Sequence, residues 1–188
     1  MQICKSKSLL SLIITFSLGY SSLVSSKELI MLDDFSPSPK VDWNFVADSV
    51  MGGISTGDVA LEDDGTQIYA KMTGNVSTEN NGGFIQFRAG VVIDEIPYEG
   101  LRIMTRGNGE EYFIHVRTPK TRLPWNYYAA SFNTTSDWQY IEIPFASFKK
   151  SGLILPRMFK ASDIKSIGIV AFGKDFYADI DLASIELY

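Results

Sequence analysis

The strongest constraint on this chain is the spacing of its apolar residues, which recur at every second position along most of its length. Period two marks a strand with one buried face, whereas a helix needs an apolar stripe at a period near 3.6. Residues 67–73 place Ile68, Ala70 and Met72 on one face, with Tyr69, Lys71 and Thr73 on the other. Residues 101–106, 112–117, 127–132, 138–143, 167–172 and 176–187 read the same way, separated by Gly, Asn, Asp and Pro. In the last segment Phe176, Ala178, Ile180 and Leu182 share a face, and Ile185 and Leu187 then fall out of phase. That break predicts a bulge near Ala183 and Ser184. Asn108-Gly109 between two strands predicts a hairpin. Single helical turns are expected only around residues 144–148 and 161–164. Short strands at intervals of roughly ten residues predict an all-β chain, a single antiparallel β-sandwich or jelly roll.

Composition excludes several functions. The 188 residues carry 17 Lys+Arg against 22 Asp+Glu, a formal net charge of −5, which argues against a nucleic-acid binder. The one cysteine, Cys4, lies near the N-terminus, so the body of the chain has no disulfide and no thiol nucleophile. With His115 the only histidine, a two-histidine metal centre is excluded as well. No cofactor and no metal is expected. Acidic pairs such as Asp33-Asp34, Asp63-Asp64 and Asp94-Glu95 are neighbours in sequence, which a strand sends to opposite faces, so they read as solvated turn residues. A lesser reading has Asp34 meeting Asp179 or Asp181 around a structural Ca²⁺.

The N-terminus reads as a leader. Lys5 and Lys7 precede an apolar run at residues 9–18 and a small, polar stretch at residues 21–26. This order is that of a secretory signal peptide over residues 1–26, with cleavage before Lys27. The run is shorter than the roughly 20 residues that span a bilayer. The expected protein is exported, periplasmic or secreted, with one β-domain over residues 27–188 and no transmembrane helix after cleavage.

Two glycine clusters stand out. The first carries Trp43, Asp48, Met51, Gly52, Gly53 and Ser55; the second carries Asn80, Gly82, Gly83, Phe84 and Arg88. No Gly-Lys-Ser/Thr follows either cluster, which removes a phosphate-loop reading. Paired glycines punctuate turns, here with Trp43 and Phe84 packed below, and they also admit a close ligand. Together with Arg106-Gly107-x-Gly109, Trp138, Ile143-Pro144-Phe145 and the closing Ile185-Glu186-Leu187-Tyr188, these clusters resemble the complex I intermediate-associated protein 30 family. The resemblance runs from about Leu32 to the C-terminus and implies a galactose-binding-like jelly roll. It also implies a non-catalytic role in assembling a respiratory complex. In an exported chain the implied partner becomes a protein of a membrane or envelope complex.

Residues 117–128 mix Arg117, Lys120, Arg122, Trp125, Tyr127 and Tyr128 with two prolines. Arg beside Trp and Tyr is the usual chemistry of a protein interface, and the same rings stack on sugars. A third reading has Trp125 as the hydrophobic anchor of the loop. The candidate binding set is therefore the two glycine clusters with Arg122, Trp125 and Tyr127. Its functions are an assembly-factor or chaperone-like binding module and, as the alternative, a carbohydrate-binding module. His115 lies in a strand without a nucleophile at readable spacing and reads as structural, and no catalytic residues are assigned.

Overall fold

The structure, a computed structural model, describes residues 29–37 and 40–188; the expected leader lies outside the described residues. The strands are β1 (Ile30–Asp33), β2 (Trp43–Ala47), β3 (Thr56–Asp63), β4 (Ile68–Val76), β5 (Phe84–Gly90), β6 (Gly100–Gly107), β7 (Glu111–Arg117), β8 (Tyr128–Asn133), β9 (Gln139–Pro144), β10 (Lys149–Lys150), β11 (Ser166–Phe172) and β12 (Phe176–Leu187). They form two six-stranded antiparallel sheets. The first runs β3-β4-β12-β6-β9, with β1 also paired to β12; the second runs β10-β8-β7-β11-β5-β2. Among the described residues there is no α-helix, only 3-10 turns, and no helix long and apolar enough to cross a membrane.

Alternation explains the core. In the second sheet Ile85 and Phe87 of β5, Ile114 of β7, Phe132 of β8 and Ile169 of β11 point inward and are buried. They meet Met72, Ile103, Ile180 and Leu182 of the first sheet in one hydrophobic cluster. The alternate positions of every strand face outward, so each sheet has one face free for function.

The expected bulge is present, as the β6–β12 register shifts between Leu182 and Ser184. Ile185 and Leu187 thereby return to the core. The expected single turns occur at Phe145–Ser147 and Ala161–Asp163.

The Asn108-Gly109 hairpin requires correction. β6 pairs with β12 and β9, while β7 pairs with β8 and β11, so this turn carries the chain from one sheet to the other. Asn108 is held by β12 instead: its amide donates to Tyr177 O at 2.7 Å and its backbone N–H to Asp179 O at 3.1 Å. The tight hairpin lies at Asp64-Gly65 between β3 and β4, where Gly65 has φ of 82°. Asp-Gly at that point is as strong a turn signal as Asn-Gly. Strands β1, β2, β3, β5 and the two-residue β10 were not expected; β2 and β5 adjoin the glycine clusters and there read as turn. Phe84 does not pack below the turns. It opens β5 on the outward-facing register, opposite Phe172.

Candidate functional site

The two glycine clusters converge on one buried carboxylate. Asp48 opens a 3-10 turn after β2 and is fully buried. It accepts hydrogen bonds from the Ser55 N–H (2.9 Å) and hydroxyl, the Gly83 N–H (2.6 Å) and the Phe84 N–H (3.2 Å). Burial pushes the Asp48 carboxyl up, but the hydrogen bonds from Ser55, Gly83 and Phe84 outweigh it and leave its pKa lowered. A Cβ on Gly53 or on Gly82 would collide with the Asp48 side chain, so both glycines are demanded by close approach. Asn80, at φ 56°, lies in the turn that leads to Gly82. Gly52 ends the first turn at φ 93°, and Met51 beside it is exposed. The arrangement ties the end of β2 to the start of β5. Trp43 sits apart, packed on Phe35 and Phe87, with its Nε1–H donating to Asp33 at 2.8 Å.

The outward face of the first sheet is filled by paired charges. Arg106 donates to Asp181 at 2.7 Å, Lys71 lies 3.5 Å from Asp179 and 3.7 Å from Asp181, and Arg102 pairs with Glu186. The Arg106 guanidinium also lies over the Trp138 ring (4.5 Å) and the Tyr69 ring (5.1 Å), and Arg102 over Tyr140 (4.4 Å). Asp179 and Asp181 are therefore taken by cations, while Asp34 accepts the Ser36 N–H. Among the described residues no three potential metal ligands gather.

The outward face of the second sheet is open. Its register aligns Ala129, His115, Gly168, Arg88 and Asn44 across five strands. Next to this row lies a cleft of about 510 Å³, lined among others by Asn44, Arg88, Arg117, Thr121, Lys165 and Ser166. That volume falls within the range of small-ligand sites. Three cations line it, and no acid does. Among the described residues neither Arg88 nor Lys165 has an ion pair or a side-chain hydrogen bond. Arg117 donates only to the carbonyls of Thr121 (3.1 Å) and Leu123 (2.8 Å). Burial, and then the nearby Arg88 charge, lowers the pKa of Arg117. At Gly168 an added Cβ would press on Gln86 (3.0 Å) and Arg88 (3.3 Å), so glycine lets these long side chains lie across the sheet.

Aromatic residues continue this face. Tyr127 stacks on His115 with centroids 4.0 Å apart, and Phe113 and Phe172 stand beside the histidine. Burial pulls the His115 pKa down to about 4, which makes the ring neutral at pH 7. Arg122 and Trp125 lie exposed on the β7–β8 loop.

The sequence candidates thus separate. Asp48, Gly53, Ser55, Gly82, Gly83 and Phe84 form the knot, Arg88 lies in the cleft, and Arg122 and Trp125 lie on the loop. The cleft residues Arg117 and Lys165 were not among the sequence's candidate site residues. Arg117 was visible on one face of an alternating strand with Phe113 and His115, but the strand that carries Arg88 was not expected, nor that β11 would bring the two arginines together.

The fold agrees with the comparisons. The family model of complex I intermediate-associated protein 30 matches residues 34–182. The chain belongs to that family. No curated protein matches the sequence significantly. Among solved structures, it is similar to the family 11 carbohydrate-binding module of a cellulosomal cellulase of Clostridium thermocellum, with a TM-score of 0.69 and 17% identity over 87% of this chain and 95% of that one. The module from the same organism in complex with a β-1,3-1,4-mixed-linked tetrasaccharide matches with the same score and identity over 87% and 96%. A family 30 carbohydrate-binding module from a Clostridium thermocellum cellulase matches with a TM-score of 0.56 and 11% identity over 86% and 98%. At these identities the likeness shows the fold, a galactose-binding-like jelly roll.

Proposed function

We propose that this family member is an exported, non-catalytic binding module, acting as an assembly or chaperone-like partner of a membrane or envelope complex. It grips that partner with the outward face of the second sheet. The observation that carries this reading is the cleft with Arg88, Arg117 and Lys165, three cations without an acidic partner in a chain of net charge −5. Three cations converging in one cleft without an acid suit an external anion, here a carboxylate-rich segment of a partner protein. The family membership supports the assembly role. Among the described residues no nucleophile–base pair stands on this face, and the half-buried His115 lies against Tyr127 with its Nε2 buried and without a hydrogen-bond partner.

A second reading, a glycan ligand, is favoured by the half-buried Tyr127 ring beside the cleft and by the amides of Asn44 and Gln86, the groups that sugars use. Crosslinking and co-purification of the C-terminally tagged chain from its native cells tests both. We expect one defined envelope complex to be recovered and to be lost with Arg88→Glu and Lys165→Glu. Recovery that is indifferent to both substitutions would overturn the cleft as the site. Retention on a polysaccharide matrix, with no protein captured, would put the glycan reading first.

A further inference from the structure

A second surface lies on two loops that the cleft does not use. The β7–β8 loop exposes Leu123 and Trp125, and the β10–β11 loop exposes Leu153, Ile154 and Met158. Leu153 and Ile154 are 95% and 96% exposed, in contrast to the core leucines and isoleucines. The loops are stitched to each other: the Ser151 hydroxyl donates to Trp125 O (2.8 Å) and accepts from the Tyr127 N–H (2.9 Å), and the Ser151 N–H donates to Tyr127 O (2.9 Å). Lys150 caps the second loop through the carbonyls of Leu153 (2.8 Å) and Leu155 (2.7 Å). The apolar tips are thus held out by an ordered frame.

The two loop segments themselves carry charge of one sign. Residues 112–136 and 143–162 contain no Asp or Glu in a chain that has 22, yet they carry Lys120, Arg122, Lys149, Lys150, Arg157 and Lys160. None of these six has an ion pair among the described residues. The adjacent β5–β6 loop adds the exposed Val92, with Asp94 and Glu95, and Glu95 accepts the Ser162 hydroxyl.

We propose that these two loops dock the protein on a bilayer surface bearing anionic phospholipid, with Leu153, Ile154 and Trp125 entering the interface and the surrounding Lys and Arg facing the phosphates. Aliphatic tips that protrude almost fully exposed suit a soft interface, whereas a protein partner favours a flatter patch with close shape complementarity. A cationic surround complements the negative potential of anionic lipid and adds attraction that salt screens. This inference does not rest on the cleft.

Vesicles of phosphatidylcholine, with and without phosphatidylglycerol, provide the test. Wild type, Leu153→Ser with Ile154→Ser, and Arg122→Glu with Lys149→Glu are made as full chains, so the apolar run at residues 9–18 is common to all. We expect salt-sensitive binding to the anionic vesicles, quenching of tryptophan fluorescence by nitroxide-labelled lipid that Trp125→Phe removes, and unchanged melting of both variants. The serine variant should bind about tenfold or more weakly, and the charge-reversal variant should lose the preference for phosphatidylglycerol. Equal binding of wild type and serine variant, with Trp125 unquenched, would overturn the proposal. So would dimerisation in sedimentation velocity that the serine variant abolishes while vesicles bind neither form, because the tips would then cover a second copy.

Discussion

The two outward faces of this sandwich share one strand geometry and differ in how their charges are answered. On the first sheet Arg102, Arg106 and Lys71 each meet an acid, and three aromatic rings cover the guanidiniums. On the second, Arg88, Arg117 and Lys165 line a cleft with no acid among its lining residues. A face whose charges neutralise one another contributes to the fold. A face that leaves them unanswered gains stability only when a ligand arrives, and the contrast points to the second sheet as the working surface.

The largest effect should come from the knot that holds the second sheet's end, not from either face. Asp48→Ala strands the donors of Ser55, Gly83 and Phe84, and should cost about 3–4 kcal/mol in denaturant unfolding. Because its carboxyl pKa is lowered on folding, Asp48 contributes stability above about pH 3.8 that is lost as the pH falls below it. On the closed face, Asp181→Ala leaves Arg106 and Lys71 without their shared acid and should cost about 2–3 kcal/mol. A loss below 0.5 kcal/mol would erase the distinction between the faces.

His115 sharpens the contrast through pH. Its pKa is about 4 in the folded chain against 6.5 when unfolded, so the unfolded chain takes up the proton first as the pH falls. Stability should decline from about pH 6.5 down to about 4, by on the order of 2 kcal/mol, and His115→Phe should flatten that slope in thermal melts. The smallest effect belongs to Arg88→Ala, which should change stability by less than about 0.5 kcal/mol, because it removes a cation near Arg117 and breaks no pair. A clear loss of stability there would mean that the open face is structural after all.

Much of the fold is legible in the sequence. Alternation placed seven segments as strands, the phase break at Ala183-Ser184 marked the bulge, and Pro144 and Ala161 marked the short turns. The hairpin and the shared approach to Asp48 were missed for one physical reason. Turn chemistry says that the chain bends at Asn108-Gly109 and at Asp64-Gly65, but not whether the strands on either side pair with each other or diverge into different sheets. Likewise the glycine pairs were legible as close-approach points, but not that both approach Asp48, whose bond to Gly83 spans 35 positions.

The sequence alone determined the class of structure, because side-chain alternation is a local property of an extended backbone. It also set the alternating faces of the seven strands it showed, but not those of β2 and β5, where Phe84 was expected below the turns and lies outward. Only the tertiary structure decided which outward residues became neighbours. β11 runs between β7 and β5, and its register sets His115 and Arg88 on either side of Gly168, with Arg117 and Arg88 along one cleft. Whether a cation is answered depends on the strand that lies beside it, and that pairing is set by long-range contacts that no window of sequence contains.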